Sequence, residues 1–454
     1  MRGSLISRSV LIATSTFGIV SCAQYTARPI DVGAFKSPSV QTPALYGGSG
    51  SFEALFQQVA RYHPAVRSAQ EAYRAAQSDA RIAGQYPPVG FTLTTEYSRQ
   101  ADAARPWMLG AAFDLPVDAG ERRTTRTHEA ALNLRLARYD LSDAVFTLRS
   151  QLASALTTLQ ATQHLSALCD EGQTLRLRTL DQALARVRMG EEDSSAETAA
   201  RLDLTGTRSA CREIETREAA AQADLAALLG VSISDLTTLR FPAYPSGLDL
   251  PGGDLLNRRR TTSLYTRADI FKAISDYDRS ENALRLAIAS QYPQVRIGPG
   301  YIWERGLAKF PLTVSLVLPP ADLNREAIRA AEARRAAAGT SLEAVVATHY
   351  AAEQKARSDF EAALVLVQQI ERQDLPITAS QFKRAQDLER LGEGTRADLL
   401  AAQTAQNSAQ MRYEEARLAA GLARVQLEAV WRQPVSDEEM QSLKTLMQSL
   451  EVSP

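Results

Sequence analysis

The chain has 454 residues, and its 51 Lys and Arg nearly balance its 52 Asp and Glu, which gives a net charge of −1. This balance leaves no overall positive field to attract nucleic acid, so no nucleic-acid partner is predicted. Apolar residues make up 45% of the chain but aromatic residues only 6%. Because much of the apolar content is Ala and Leu in polar-interrupted runs, the composition favours helical bundles and coiled coils over a thick globular core.

The first residues have the layout of a secretory signal. Basic residues precede an apolar stretch that ends at Val20, and Ser21 and Cys22 follow. Residues 1–21 are therefore predicted to be a signal peptide, with export from the cytoplasm. Cys22 resembles the first mature residue of a bacterial lipobox, whose thiol carries a lipid anchor, and Ala23 after it is typical of outer-membrane lipoproteins. The alternative is an ordinary cleaved signal beside a chance cysteine.

After the signal, residues 22–50 are predicted to be an extension that precedes a tandem repeat. Three short matches occur in the same order: QYPPV at 85–89 with QYPQV at 291–295, Leu-Pro at 115–116 with 318–319, and RMGE at 188–191 with RLGE at 390–393. Their offsets of 206, 203 and 202 residues are nearly constant. The predicted order is repeat 1 at 51–240, a linker at 241–262, repeat 2 at 263–432 and a C-terminal tail at 433–454.

Each repeat is predicted to open with an Ala-rich helix, at 52–84 and at 267–290, because Pro87 and Pro293 then end the helical pattern. Strands follow in the first copy. Apolar and polar residues alternate through Phe91, Leu93 and Tyr97, a polar loop occupies 99–106, and a return strand runs from Trp107 to Leu115.

The second copy shows the same alternation more clearly. One predicted strand places Val295, Ile297, Tyr301 and Trp303 on one face, a short loop lies near 304–309, and the return strand alternates through Leu312, Val314, Leu316 and Leu318. Alternation over about ten residues with aromatics near the ends is typical of outer-membrane β-strands. A soluble hairpin packed on a core fits each strand, taken alone, equally well. No apolar run of about 18 residues follows the signal, so strands are the elements predicted to cross a membrane.

The helices after the strands are predicted to be very long. From Ala119 to Met189 the sequence has no Pro, so one near-continuous helix of some 70 residues would extend roughly 100 Å. A heptad seam is predicted along it through Leu134, Leu141, Val145, Leu148, Leu152, Ala155 and Leu159, and along a returning helix through Met411, Leu418, Leu422, Val425 and Ala429. Long helices packed side by side are the expected result.

Gly190 and Gly392 are predicted to form the tips of two helical hairpins. Cys169 and Cys211 each lie 21 residues from Gly190, and positions equidistant from the tip of an antiparallel hairpin sit side by side. The two thiols can therefore form a disulfide in an oxidising periplasm, or remain two unpaired buried thiols.

Four strands cannot close a barrel, and an open sheet edge in lipid leaves backbone groups unpaired. Three copies would supply 12 strands and 12 long helices. The predicted fold is therefore an α+β membrane protein, predominantly α. It is a homotrimer whose 12-stranded outer-membrane β-barrel, four strands per chain, continues as a long periplasmic α-helical barrel, with two tandem structural repeats in each chain.

This order of elements resembles the TolC family of outer-membrane efflux proteins over nearly all of the mature chain. The most specific stretch is RLGEGTRADLLAAQ at 390–403, while AGERR at 119–123 and LEAVW at 427–431 are similar to the heavy-metal CzcC-like branch. The resemblance implies a lipid-anchored trimeric duct in the outer membrane that extends into the periplasm. Its implied partners are outer-membrane lipid, a periplasmic adaptor (membrane fusion) protein and an inner-membrane pump of the resistance-nodulation-division type.

By the same resemblance, the turns at Gly190 and Gly392 with Arg188 and Arg390 beside them would dock the adaptor. Ordinary helix capping explains these residues as well. Asp398 matches an acidic residue that forms the channel gate in the family, where a threefold ring of carboxylates concentrates cations. The second carboxylate of that pattern falls on Ala401. Asp398 can instead simply complement its helix dipole.

No catalytic function is predicted. The histidines His63, His128, His164 and His349 are scattered along the chain, no nucleotide-binding or hydrolase motif occurs, and no metal site or cofactor is expected. His63 before Pro64 is interpreted as a helix-to-loop junction. The predicted function is an outer-membrane exit duct that passively conducts metal ions or small toxic compounds. The alternatives are a type I secretion duct for polypeptides and a non-channel periplasmic coiled-coil lipoprotein scaffold.

Overall fold

The structure, a computed structural model, describes residues 25–27, 29, 51–99, 106–117, 121–236, 241–242, 253–304 and 306–452. The predicted signal peptide and Cys22 lie outside the described residues. The chain divides into two units, Met1–Ser39 and Val40–Pro454. In the first unit the described residues have no regular secondary structure, and all helices and strands below belong to the second.

The predicted opening helix is two helices, α1 (Phe52–Tyr62) and α2 (Pro64–Ala83). Between them His63 has an extended backbone, and its Nδ1 accepts the backbone N–H of Ala65 at 3.3 Å. Pro64 lacks the N–H needed to continue α1, but it suits the first position of a new helix. The sequence predicted a helix-to-loop junction at His63 and Pro64, but the apolar period did not reveal that a second helix begins at Pro64.

The strands form one antiparallel arrangement in the order β1 (Gly90–Tyr97), β2 (Trp107–Pro116) and β3 (Gln294–Glu304), and β3 also pairs with β4 (Leu307–Lys309) and β5 (Leu312–Val317). The predicted loop at 304–309 is shorter than expected because β4 occupies its second half. Pro311 has no N–H for a ladder bond, so the return strand is interrupted there. The carbonyl of Pro311 still accepts the N–H of Gly300 at 2.8 Å.

Long helices follow each pair of strands. The first hairpin consists of α3 (Glu121–Arg188) and α4 (Ser194–Leu229). The second hairpin consists of α8 (Arg325–Gln369), a π-helical segment (Ile370–Asp374), α9 (Leu375–Leu391) and α10 (Arg396–Trp431). The 68 residues of α3 correspond to a length of roughly 100 Å, as the sequence predicted.

Shorter helices complete the second unit: α5 (Ile233–Leu236), α6 (Gly253–Ser263), α7 (Ala268–Ala289) and α11 (Asp437–Val452). Most of α6 falls in the predicted linker, and α11 occupies the predicted tail. Within the described part of the chain, no helix combines the length and the apolar character that a membrane span requires.

The main core lies where α1 and α11 pack on α3 and α4. From Leu141 to Leu159 the predicted seam residues of α3 are buried, and only Leu134 is half-buried. On α10 the prediction was less accurate, because Val425 is the one buried residue of its five predicted seam positions. A second set on α10, Ala416, Ala420, Leu427 and Trp431, is buried against α8. Since α10 lies between α3 and α8, it has two apolar faces, and a single heptad describes only one.

A buried ionic cluster joins the two hairpins near this core. Arg149 of α3 donates to Glu428 of α10 at 2.9 Å and also to Glu439 of α11. Arg424 donates to the other oxygen of Glu428 at 3.3 Å. Arg149 is 2% exposed and Glu428 is fully buried, so each charge depends on its partners for the hydrogen bonds that water would otherwise supply.

Candidate functional site

One face of the sheet is apolar except at one position. The strand register places on it Phe91, Leu93, Tyr97, Trp107, Leu109, Phe113, Leu115, Tyr301, Leu312, Val314 and Leu316. These side chains are 37–67% exposed, and Thr95 is a polar exception on β1. Soluble monomers rarely leave such a large continuous apolar surface uncovered, so this face has the chemistry of a membrane or protein contact.

The opposite face of the sheet is mixed and mostly polar. It carries Thr92, Thr94, Glu96, Asp114, Arg296, Thr313 and Ser315. Arg296 of β3 forms an ion pair with Asp114 of β2 at 2.8 Å, which ties the two strand pairs together across the sheet. The contrast between the faces is therefore a property of the assembled sheet and not only of single strands.

Two arginines at the start of α3 fasten this helix to the end of α2. Arg126 donates to the backbone oxygens of Ala83 at 3.1 Å and Gln85 at 3.3 Å, and Arg123 donates to that of Gly84 at 3.1 Å. These carbonyls at the end of α2 have no partner within their own helix. Arg123 belongs to the AGERR stretch that resembles a family signature, but the sequence pattern did not predict this capping role.

The hairpin tips are tight glycine turns. Gly190 has φ +74° and Gly392 has φ +76°, a left-handed conformation that favours glycine. After α3, the N–H of Glu191 donates to the carbonyl of Arg186 at 3.0 Å, and after α9 the N–H of Glu393 donates to the carbonyl of Leu388 at 3.0 Å. Both turns thus close the preceding helix with the same backbone motif.

The predicted arginines lie beside these turns and are exposed. Arg390 pairs with Asp387 at 3.0 Å on its own helix, whereas no ion pair is found for Arg188 among the described residues. Arg186, which the sequence analysis missed, instead forms the ion pair at the first tip, with Glu192 at 2.7 Å. The sequence offered one signal for this ion pair, because Arg186 and Glu192 lie six residues apart across a glycine turn.

Asp398 lies at the start of α10, where it completes a capping box with Thr395. The Thr395 hydroxyl donates to its carboxylate at 2.6 Å and the Thr395 backbone N–H at 3.1 Å. These bonds hold the pKa of Asp398 below its ordinary value, and the positive charge of Arg186 acts in the same direction. Asp398 is therefore ionised at neutral pH, exposed, and fixed in orientation.

A groove of about 560 Å³, here named the tip groove, lies between the ends of α3, α4 and α10 that are nearest the hairpin tips. These ends are called the lower ends of the helices. Its walls are mostly small side chains, including Ala183, Ala196, Ala199, Ala200, Ala397, Ala401 and Ala405. One of them is Ala401, the position at which the sequence has alanine in place of a second gate carboxylate. Arg186, Glu192 and Asp203 also line the groove, so its wall combines alanines with charged side chains.

Cys169 of α3 and Cys211 of α4 are joined in a disulfide, with their Cα atoms 5.6 Å apart. Both residues are 3% exposed and pack with Leu165, Ile214 and Met411. The equal distance of the two cysteines from Gly190 thus corresponds to neighbouring positions on the paired helices.

One histidine has a neighbour that the sequence analysis overlooked. His349 and Glu353 stand four residues apart on α8, and both are 3% exposed. Since the Ser263 hydroxyl donates to the carbonyl of Arg260 at 2.7 Å, the ring N–H at Nε2 of His349 donates to the Ser263 oxygen at 3.1 Å. Burial lowers the pKa of His349. No group of three or more candidate metal ligands occurs in the described part of the chain, so this pair is interpreted as a fastening of α6 to α8.

The sequence was also compared with known proteins. Residues 55–231 match the family described as outer membrane efflux protein. No curated protein matches the sequence significantly.

Several solved structures share the fold. VceC, an outer membrane protein of Vibrio cholerae, is 17% identical, with a TM-score of 0.67 over 85% of this chain and 97% of that one. OprN, an outer-membrane channel, is 18% identical, with a TM-score of 0.69 over 85% and 90%. MtrE, an outer-membrane channel of Neisseria gonorrhoeae solved in its open state, is 16% identical, with a TM-score of 0.59 over 85% and 89%. The predicted resemblance to TolC-like proteins is confirmed by the family match, and these structures show the fold.

Proposed function

We propose that this chain, a TolC-like outer-membrane efflux protein by its family match and its fold, is a subunit of the exit duct of a tripartite efflux system. The duct passively conducts metal ions or small toxic compounds from an inner-membrane pump to the exterior. The uncovered apolar face of the sheet carries this proposal, because a face with large side chains such as Phe91, Trp107 and Leu312 requires an apolar surrounding.

The proposed assembly is a homotrimer, and the open edges of the same sheet support it. Among the described strands, β1 pairs only with β2, and β5 pairs only with β3, so each chain presents open edges. Unpaired backbone groups in lipid cost several kcal/mol each. Edge pairing with two further copies would satisfy them and would close a barrel of 12 strands.

In this proposal the chain resides in the outer membrane, with the acylated thiol of Cys22 as a second membrane attachment, and its long helices extend into the periplasm. A lipid anchor beside a barrel would hold the N-terminal segment at the membrane surface. Mass spectrometry of the mature N-terminus tests the anchor: a diacylglyceryl cysteine is expected, and an unmodified cysteine or a cut elsewhere would contradict it.

The hairpin tips are proposed to dock a periplasmic adaptor of a pump of the resistance-nodulation-division type. Met189 is 63% exposed and Leu391 is 67% exposed, and each immediately precedes the glycine of its turn. Arg188 and Arg390 flank these apolar residues. The tip groove adds a small-residue surface on which a partner helix can pack closely.

The gate is proposed to include Asp398. Three ionised copies would form a carboxylate ring that concentrates cations and is blocked by multivalent ones. Asp398→Asn keeps an oxygen acceptor for Thr395 but removes the charge, so block by multivalent cations should weaken at least severalfold while the fold is retained. Asp387→Asn removes a charge elsewhere on the tip and serves as the matched control. Equal block in both variants would remove Asp398 from the gate.

Fractionation and conductance test the function as a whole. A channel should appear in outer-membrane fractions as a heat-modifiable trimer and should conduct ions in planar bilayers. A monomer that carbonate extracts and that does not conduct would overturn the channel and favour the scaffold. Transport of a polypeptide, with no efflux of metals or small compounds by the assembled system, would assign it to type I secretion.

A further inference from the structure

The first hairpin is held together covalently at one height. Cys169 and Cys211 each lie 21 residues from Gly190 at the tip, and their disulfide closes a loop that contains the lower part of both helices. Both cysteines are buried and pack with Leu165, Ile214 and Met411. Below the disulfide, α3 and α4 cannot separate or slide past each other without straining the bond.

A third helix is tied to α3 at the same height. The side-chain amide of Asn407 on α10 donates to the backbone carbonyl of Leu168 at 2.9 Å. A Cβ atom at Gly172 would lie 2.8 Å from Oδ1 of Asn407, so any larger residue at 172 would displace the Asn407 amide from this position. The disulfide level is therefore a fixed point for three helices, α3, α4 and α10.

The second hairpin has the opposite character at its corresponding height. The residues 21 positions from Gly392 are Glu371 and Tyr413, and Glu371 lies within the π-helical segment Ile370–Asp374. Pro376 is the second residue of α9, and its missing N–H removes a bond to the preceding turn. A π-segment next to a proline is a place where a helix bends more readily than elsewhere.

Within one chain, few contacts restrain α9 between this point and the tip. None of its 17 residues is buried, whereas Leu399 and Leu400 of the facing helix α10 are. Among the described residues, the ion pair found across this level joins Asp374 and Arg412. It is long at 3.6 Å, and the Arg412 side chain is 59% exposed. Screening by solvent makes such a pair a weak restraint.

We propose that the Cys169–Cys211 disulfide is a redox-sensitive staple that keeps the lower first hairpin a stiff unit, while the π-helical segment makes α9 the compliant element of the second hairpin. In the oxidised protein, movement at the tips is then concentrated in α9. In the reduced protein, α3 and α4 also move. The proposal rests on the proposed function only in taking the tips as the working end of the duct.

Reduction is a balanced two-electron step. Dithiothreitol supplies two electrons and two protons, its own thiols close into a cyclic disulfide, and Cys169 and Cys211 become free thiols. Because the bond is buried, the reductant reaches it only through local opening. The variant Cys169→Ala with Cys211→Ala therefore provides the reduced-like state without depending on access.

Hydrogen–deuterium exchange of the purified full-length protein in detergent tests the staple. In the oxidised wild type, amides in residues 366–391 should exchange at least tenfold faster than amides in 170–188. In the double variant, exchange in 170–210 should rise about tenfold, while exchange in 366–391 should change less than twofold. Wild type treated with dithiothreitol long enough to titrate two free thiols should match the variant.

Two results would overturn the proposal: exchange in 170–210 that does not respond to loss of the bond, or exchange in 366–391 that is as slow as in 170–188. Conductance of the same preparations is recorded separately. A non-conducting protein that shows the expected exchange pattern would refute the channel but keep the staple. A conducting protein without the expected exchange pattern would support the channel but refute the staple.

Discussion

The two helical hairpins have nearly the same length but are secured at different places. The first has a disulfide 21 residues above its tip, yet Asp193 at the start of α4 makes no side-chain capping bond. The second has a complete capping box between Thr395 and Asp398 at its tip, yet a π-helical segment interrupts it at the height of the disulfide. Similar sequence units can therefore build similar hairpins while covalent and capping interactions distribute rigidity differently between them.

The largest effect is expected at the joint that both hairpins share. Arg149→Met leaves Glu428 and Glu439 buried without their central partner, so the free energy of unfolding should fall by about 5 kcal/mol. Arg138→Met is the control, because Arg138 pairs with Glu451 but is 58% exposed. That change should cost less than about 1 kcal/mol. Guanidinium unfolding of both variants checks the difference, and equal losses would show that the buried cluster contributes no special stability.

Removal of the disulfide should have the next largest effect. The cysteines are 42 residues apart, and a loop of this size corresponds to about 4 kcal/mol of stabilisation in the chain-entropy model. Cys169→Ala with Cys211→Ala should lower the unfolding midpoint accordingly under oxidising conditions. In dithiothreitol the wild type should approach the variant. A variant as stable as the oxidised wild type would show that the bond is not what secures the first hairpin.

The glycine turns should respond equally, since they are the feature that the hairpins have in common. A Cβ at Gly190 or Gly392 meets no atom within 4 Å, so alanine there costs only the left-handed conformation, about 1–2 kcal/mol. Gly206→Ala, within α4 and also free of contacts, should stabilise by about 1 kcal/mol. Thermal unfolding can rank the three variants, and a much larger loss at one tip would indicate contacts that differ between them.

The helix caps should give the smallest differences. Thr395→Ala removes a bonded cap and should cost about 1 kcal/mol, whereas Asp193→Ala should cost only a few tenths because that side chain makes no capping bond. Circular dichroism melts of the two variants check the order. The reverse order would contradict the assignment of the stronger cap to the second tip.

Acidic pH should weaken the second tip, whereas neutral pH should leave it intact. The folded pKa of Asp398 is lowered from 3.8, chiefly by the hydroxyl of Thr395. The contribution of Asp398 to stability is therefore complete above about pH 4 and is lost as the pH falls through the lowered pKa. Exchange at residues 392–400 should therefore be constant from neutral pH to about 5, after correction for intrinsic rates, and should accelerate only below 4. Asp398→Asn should abolish that acid response.

Much of the local architecture was readable from the sequence. Alternation in Leu312, Val314 and Leu316 predicted a two-faced strand, and the register of β5 with β3 bears out the shared apolar face. The uninterrupted run before Gly190 predicted a helix that the structure ends at Arg188. These features depend on residues close in sequence, whose propensity and period act wherever the chain is placed.

Other features needed the packed structure. α10 presents two buried faces because it lies between α3 and α8, and Arg186 rather than Arg188 makes the ion pair at the first tip. His349 and Glu353 were visible as a spaced pair, but their burial was not. Each depends on which surfaces meet, and a linear pattern does not specify partners far away in the chain.

By itself, then, the sequence determined the strands, the long helices and the glycine tips, because backbone conformation at these places follows from local side-chain chemistry. Only the tertiary structure decided which level of each hairpin is stiff. The cysteines, Asn407 and Gly172 gain their effect from a close approach of three helices, and the π-helical segment from its position opposite α10. Such contacts arise from packing, which the local pattern allows but does not select.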